Sequence, residues 1–254
     1  MTTLDHINKH PRDARIRFEE EPHEYYIDGS KEGYISVTTI IKSKFEPFDP
    51  QEAAKKAITS PNNPCFGMTV DEAIAHWNTT NATNNAAQQG TDMHRDIEYH
   101  LNKLPYENTS VEFSYFLNFL EDYPEYETSV YRTEWIVFDE ELKIAGSIDV
   151  VFKNEDGTLD IGDWKRSKRI YTSGFNGKYG KDEFEHIQDC NFCHYSLQLN
   201  MYKWILENKY GQTVRDMFLI VCHPNNQNQN YQKYDIPEMQ DDIELLVNTR
   251  RKMV

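Results

Sequence analysis

Hydrophobic residues recur along the chain at two different spacings, and the places where one spacing gives way to the other set the expected architecture. Ile16 and Phe18 alternate with polar neighbours, and residues 23–27 run into the turn pair Asp28-Gly29, so short strands around turns are expected there. Residues 1–14 show neither period and read as a flexible tail. Residues 35–60 read as mixed and mainly helical, with Asp49 supplying an N-cap oxygen and Pro50 a pre-set φ for a helix over 51–58. Thr69 and Glu72 make a capping box for a helix through Trp77, which the Asn/Thr-rich stretch 78–85 is expected to interrupt. Helical spacing returns over 86–101 and again over 111–120, where Phe113, Phe116, Leu117 and Leu120 share a face.

From residue 130 the period drops to two. Residues 130–138, 143–152 and 158–165 are apolar-rich strands joined by Asp139-Glu140-Glu141 and Asn154-Glu155-Asp156-Gly157, a three-stranded meander. Residues 171–190, with Gly174, Gly177 and Gly180 among lysines, read as a mobile loop. A helix over 195–210 ends at Gly211, a buried strand follows at 215–222, and a short strand at 231–236 precedes a last helix over 237–251. The expectation is an α/β fold. Residues 15–254 form one domain, divided into an N-terminal hairpin and helical extension (15–85), a core (86–222), and a C-terminal strand and helix (223–254).

Composition narrows the class. The 254 residues are 38% apolar and 13% aromatic, enough for a sizeable core, so global disorder is excluded. The longest apolar run, 217–222, is far short of the roughly 20 residues of a bilayer-spanning helix. Residues 1–17 carry no apolar leader, so an intracellular setting is expected: cytoplasm, or a nucleus or organelle if the source is eukaryotic or viral. The four cysteines are then expected as free thiols, and the N-x-S/T triplets at Asn78, Asn81 and Asn108 as coincidences. A net charge of −15 argues against coating nucleic acid by bulk charge. It leaves room for an enzyme that meets nucleic acid through a local basic patch and a bound cation.

The meander carries the most informative residues: Gly146-Ser147-Ile148-Asp149 on its second strand and Asp163-Trp164-Lys165 on its third. Strand alternation puts Asp163 and Lys165 on one side. Two carboxylates on adjacent strands suit Mg or Mn, and a neighbouring lysine can orient a water or stabilise charge on a phosphate. Gly90 and His94 lie on the helix before the meander. Gln198 and Tyr202, four apart on the helix after it, share a face.

In this order the segments resemble the PD-(D/E)XK nuclease superfamily, specifically its RecB-like branch, and are similar to phage-type and mitochondrial genome maintenance exonucleases. The resemblance spans about residues 86–222. It matches Gly90 and His94 to G-x-x-x-H, Asp149 to the central acid, Asp163 and Lys165 to D-x-K, and Gln198 and Tyr202 to Q-x-x-x-Y. Residues 23–25 and 36–38 are similar to segments that precede the core in phage-type members. Ile148 stands where the superfamily has Pro, and Arg166-Ser167 where Thr-Ser is commoner.

The resemblance implies a restriction-endonuclease-like αβββαβ core with helical N-terminal additions. It implies a metal-dependent deoxyribonuclease, an exonuclease on DNA ends or single strands in recombination, repair or replication. His94, Asp149, Asp163 and the Trp164 carbonyl would hold Mg or Mn, with Glu134 a further ligand or orienter. Lys165 would position or deprotonate the attacking water, and Gln198 and Tyr202 would hold the DNA strand. Arg166, Lys168, Arg169, Lys178 and Lys181 are the cations expected to meet DNA, with Tyr171, Phe175 and Tyr179 available to stack on bases. A helicase or single-strand-binding protein is an expected partner.

Other signals are weaker. Cys190-x-x-Cys193-His194 is a literal haem-attachment pattern without the export it requires, and a zinc site from Cys190, Cys193 and Cys222 or His223 lacks a second tight pair. Gly174, Gly177 and Gly180 lack the spacing of a phosphate-binding loop. Two alternatives to the enzyme stay open: a catalytically inactive nucleic-acid-binding module of the same fold, and an acidic domain that docks a basic protein.

Overall fold

The computed structural model describes residues 2–254, with residues 81–84 as backbone alone. In chain order its elements are α1 (Leu4–Ile7), β1 (Ile16–Glu19), β2 (Glu24–Ile27), β3 (Ile35–Ser36), α2 (Val37–Lys42), α3 (Pro50–Ala57), α4 (Val70–Asn84), α5 (Ala86–Leu101), α6 (Val111–Asp122), α7 (Pro124–Ser129), β4 (Val130–Asp139), β5 (Ile144–Lys153), β6 (Leu159–Lys165), α8 (Asn191–Lys209), β7 (Val214–Val221), β8 (Gln232–Asp235) and α9 (Gln240–Arg251). The fold is α/β around a mixed sheet. β4 and β5 are antiparallel, β5 and β6 antiparallel, β6 and β7 parallel, β7 and β8 antiparallel, and the two residues of β3 lie parallel to the start of β5. Because β6 and β7 are parallel neighbours, α8 must cross over between them, packed on one face of the sheet.

Each face of the sheet has its own core. Ile161, Met217, Leu219 and Val151 pack with Leu197, Met201 and Ile205 of α8 and with α2 and α9. Val150, Phe152, Trp164, Phe218 and Ile220 pack on the other side against Met93 and Ile97 of α5 and Phe116 and Phe119 of α6. Period-two alternation in β6 and β7 thus feeds two layers of helix, which is why both strands read as nearly continuous apolar runs. A small separate cluster of Ala54, Ala57, Cys65 and Ala73 joins α3 to α4.

Three expectations need correction. Of the expected flexible tail, Met1 lies outside the described residues, and the remainder is docked on the sheet. Leu4 N donates to Asn102 Oδ1, Asn8 Nδ2 donates to the Tyr131 carbonyl, and Arg132 reaches both the Asn8 carbonyl and the Asp13 carboxylate. The stretch 78–85 does not interrupt its helix: α4 continues to Asn84, and the chain turns only at Asn85, whose φ of +45° is left-handed. The glycine-rich segment 171–190 is sewn to itself rather than loose. Asp189 N donates to the Lys178 carbonyl and Gly180 N to the Ile187 carbonyl, while Phe184 is buried beneath. Gly180 is required there, because a Cβ would sit 2.6 Å from the Phe184 carbonyl oxygen.

Candidate metal centre and active site

The site forms where the sheet splits. β5 pairs with β6 only from Val150 (opposite Gly162) to Lys153 and with β3 only at Ile144 and Ala145, so residues 146–149 have no strand on that edge. β6 meanwhile continues past Gly162 along β7 through Lys165. Asp149 and Asp163 are the first residues beyond the fork. The Trp164 N–H, with no β5 carbonyl to meet, donates to Asp149 Oδ2 at 2.9 Å. Tyr202 fills the opposite side of the fork and lies so close that a Cβ on Gly146 would be 2.8 Å from its ring and hydroxyl. Glycine is therefore the residue that lets α8 approach β5.

Three elements bring ligand atoms together. His94 Nδ1, from α5, lies 3.5 Å from Asp149 Oδ2 and 3.9 Å from Glu134 Oε1 of β4. One atom from each of these residues falls within 4.8 Å of the others. Glu134 sits opposite Asp149, between the pairs Thr133/Val150 and Trp135/Ile148, in a left-handed conformation with φ of +42°. That backbone costs a non-glycine residue on the order of 1 kcal/mol or more. Ser147 Oγ fixes the carboxylate by donating to Oε2 at 2.8 Å.

Asp163, almost fully buried on β6, is not among the three residues whose ligand atoms gather, although the sequence placed it in the metal set. Its Oδ2 has the Lys165 ammonium 2.6 Å away but no hydrogen bond of acceptable angle, and Gln198 Nε2 donates to Oδ1 at 3.3 Å. Asp163 and Lys165 thus share a side of β6, and Gln198 and Tyr202 share a face of α8, as alternation and helical spacing predict. The Lys165 ammonium also lies over the Tyr195 ring, 5.0 Å from its centre.

Negative charge exceeds positive charge here, and each group's proton affinity is shifted accordingly. Burial raises both aspartates, Asp163 to about 6, where the Lys165 charge works against the rise and the Asp149 charge adds to it. Burial alone would lower His94, yet the Asp149 charge and the Glu134 contact lift it to about 9. Burial would likewise lower Lys165, which Asp163 and Asp149 hold above its ordinary value. Glu98, one turn after His94, is raised to about 7 by burial and then by the charges of Glu134 and Asp5. A proton on His94 offsets part of that excess.

The remaining expected residues divide. Trp164 reaches the site through its N–H, and its ring is buried against Phe116 and Phe119. Arg166 is not a free cation: it forms a buried pair with Glu112 of α6 at 2.6 Å, which closes the end of β6 onto the helix layer. Lys168, Arg169 and Lys178 are exposed, and Lys181 pairs with Glu46 at 3.7 Å. Tyr171, Phe175 and Tyr179 are 54%, 70% and 45% exposed. Gly90 faces open space one turn before His94. Among the described residues, Cys190, Cys193, Cys222 and His223 do not gather into a metal-binding group.

Sequence reasoning singled out Ser147 without giving it a role, and passed over Glu98, Tyr195 and Glu112. Ser147 and Glu98 had a signal, being two residues before Asp149 and four after His94. Tyr195 stands three residues before Gln198, on the same helical side. Glu112 had none, since its partner lies 54 residues away.

Among the described residues no helix is long and apolar enough to cross a membrane. No protein-family model and no curated protein matches the chain. A solved structure described as "Crystal structure of SSO0001" is 13% identical, with 88% of this chain and 77% of that chain covered, at a TM-score of 0.38, and a likeness at that score carries no argument.

Proposed function

We propose that the chain is a Mg- or Mn-dependent deoxyribonuclease of the PD-(D/E)XK fold, acting as an exonuclease on DNA ends or single strands. One observation carries the reading: at a fork in the sheet, His94, Glu134 and Asp149 converge beside an Asp163–Lys165 pair, with more carboxylates than cations to balance them. An imidazole nitrogen with hard carboxylate oxygens suits Mn or Mg. His94, Asp149, Asp163 and the Trp164 carbonyl would hold the ion, with Glu134 as ligand or orienter. Bound there, a divalent ion supplies neutralisation of the phosphate charge and activation of a water.

The chain's own residues do the rest. Lys165, kept protonated by Asp163, orients the attacking water and balances charge on the phosphate, and Asp163 fixes the ammonium in place. Gln198 holds Asp163 on one side and would hold the DNA strand beside it. Tyr202, wedged on Gly146, sets the depth of the cleft. The cations left open for the DNA backbone are Lys168, Arg169 and Lys178. Tyr171 continues outward from Lys165 along the same chain, and its N–H is fixed by Asn191 Oδ1 at 2.8 Å. Tyr171, Phe175 and Tyr179 offer faces on which unpaired bases can stack.

The test is cleavage of end-labelled single-stranded, double-stranded and circular DNA with Mg, Mn or EDTA, beside Lys165→Ala. Metal-dependent loss of linear but not circular DNA, abolished in the variant, is the expected outcome. No cleavage under either metal would replace the enzyme with a DNA-binding module of the same fold.

A further inference from the structure

The sequence pattern Cys190-x-x-Cys193-His194 is not used by the site above, and its placement is specific. Cys190 is the N-cap of α8 and Cys193 the third helical residue, the pair of positions whose side chains meet across the first turn of a helix. Positions three apart there bring β-carbons within about 5–6 Å, close to what a disulfide requires after a small adjustment. Cys190 is buried and Cys193 half-buried at that turn. Both are free, and no third ligand gathers with them among the described residues, so a metal does not account for the pair. α8 is also the crossover helix between parallel strands β6 and β7, the setting in which C-x-x-C is read as a redox pair.

We infer that Cys190 and Cys193 form a redox-active dithiol that closes reversibly to an intrachain disulfide at the start of α8. The inference is independent of the nuclease reading. The oxidant class is a low-molecular-weight disulfide. The thiolate of Cys193, the more exposed of the two, attacks one sulfur of the oxidant, forming a mixed disulfide and releasing the first small thiolate. Cys190 then attacks the Cys193 sulfur, the protein disulfide forms, and the second small thiolate leaves. The two protons lost by the cysteines end on the two released thiols, so the protein is oxidised by two electrons and the small disulfide reduced by two. Burial pushes the Cys193 thiol up to about 12, with the neighbouring Cys190 adding to the rise, so the exchange is slow. The closed pair would stiffen the turn to which Asp189 ties the 171–190 segment through Lys178.

The test uses the full chain, incubated for hours with oxidised glutathione at mildly alkaline pH, then denatured, alkylated, digested and weighed. Expected is a 190–193 peptide lighter by two hydrogen atoms, with no alkyl or glutathione group, restored by dithiothreitol, while Cys65 and Cys222 remain alkylated. Cys190→Ser should trap one glutathione on Cys193, and Cys193→Ser should trap almost none, because Cys190 is only 6% exposed. Two alkylated cysteines, or a separate glutathione on each, would overturn the inference. Should a serine variant fail to fold by circular dichroism, the wild-type peptide masses decide alone.

Discussion

Strand β4 takes part in two clusters of charge that differ in one respect. On the side of the N-terminal segment, Arg12, Arg15 and Arg132 face Asp13, Asp28 and Glu140, with Trp135 Nε1 also donating to Asp13. Every charge there has an opposite partner. At the fork, Glu134, Asp149 and Asp163 face Lys165 and an imidazole that turns cationic only by holding a proton near pH 9. Burying like charges costs several kcal/mol unless something balances them. A balanced cluster is explained by the fold it ties together. An unbalanced one, on a strand strained at Glu134, is what the proposed metal centre would account for.

The largest effect should come from removing one charge of the unbalanced cluster. Asp149→Asn keeps an oxygen to accept the Trp164 N–H and relieves the crowding of carboxylates, so the melting temperature should hold or rise. Cleavage should fall by about 10³-fold, equivalent to roughly 4 kcal/mol of barrier. A variant that cleaves normally would sink the proposed enzyme, and one that merely unfolds would make Asp149 a structural residue.

The same operation on the balanced cluster should do the reverse. Arg132→Met leaves Asp13 half-buried without its guanidinium and the Asn8 carbonyl without a donor, costing about 3 kcal/mol of stability by urea titration. The rise in melting temperature caused by added Mn should be the same as in the parent. If Arg132→Met instead abolishes that rise, the two clusters are not separable.

Gly146→Ala tests the close approach of α8 to the fork. The new methyl group overlaps the Tyr202 ring and hydroxyl at 2.8 Å, and overpacking of this kind costs about 1–3 kcal/mol. Because Tyr202 must shift within the cleft, cleavage should fall along with stability, and the double variant with Tyr202→Phe should recover part of the stability. No loss in either measurement would mean that α8 approaches β5 less closely than described.

How much of this could be read from sequence depends on distance along the chain. The helix over 86–101, the meander and the strand before residue 222 carry their own periodicity, and Asp163 with Lys165, or Gln198 with Tyr202, needs only local spacing to be placed on one side. Arg12 offers no such clue, since its partner Glu140 is 128 residues away, and so the docked N-terminal segment resembles a tail. The pairing of Arg166 with Glu112 is hidden for the same reason. Two-residue β3 is too short to have a period, and the left-handed turn of Glu134 interrupts an alternation that the sequence shows as regular. The Asn/Thr run at 78–85 has poor helix propensity, which the capping box at Thr69 and Glu72 and the packing of Ala73 against α3 outweigh.

The smallest expected effects lie at opposite ends of the pH scale. Burial would raise the Glu140 carboxyl, but Arg12 and Arg15 hold it at about 2 against an ordinary 4.5, so its share of stability is present above pH 4.5 and disappears as pH falls toward 2. His94 is raised, so the stability that its proton contributes is present below its ordinary 6.5 and disappears as pH rises toward 9. A divalent cation competes with that proton for the same carboxylates. Added Mn should therefore raise the melting temperature increasingly between pH 6.5 and 9, the window in which the metal-free protein softens. His94→Gln should flatten the alkaline softening and leave the acid limb alone, whereas Glu140→Gln should flatten part of the acid limb and leave the response to Mn intact. Melting curves of the three proteins across pH, with EDTA or Mn, read both limbs at once. A Mn response that survives unchanged in His94→Gln would remove the imidazole from the proposed metal centre while leaving the carboxylates in it.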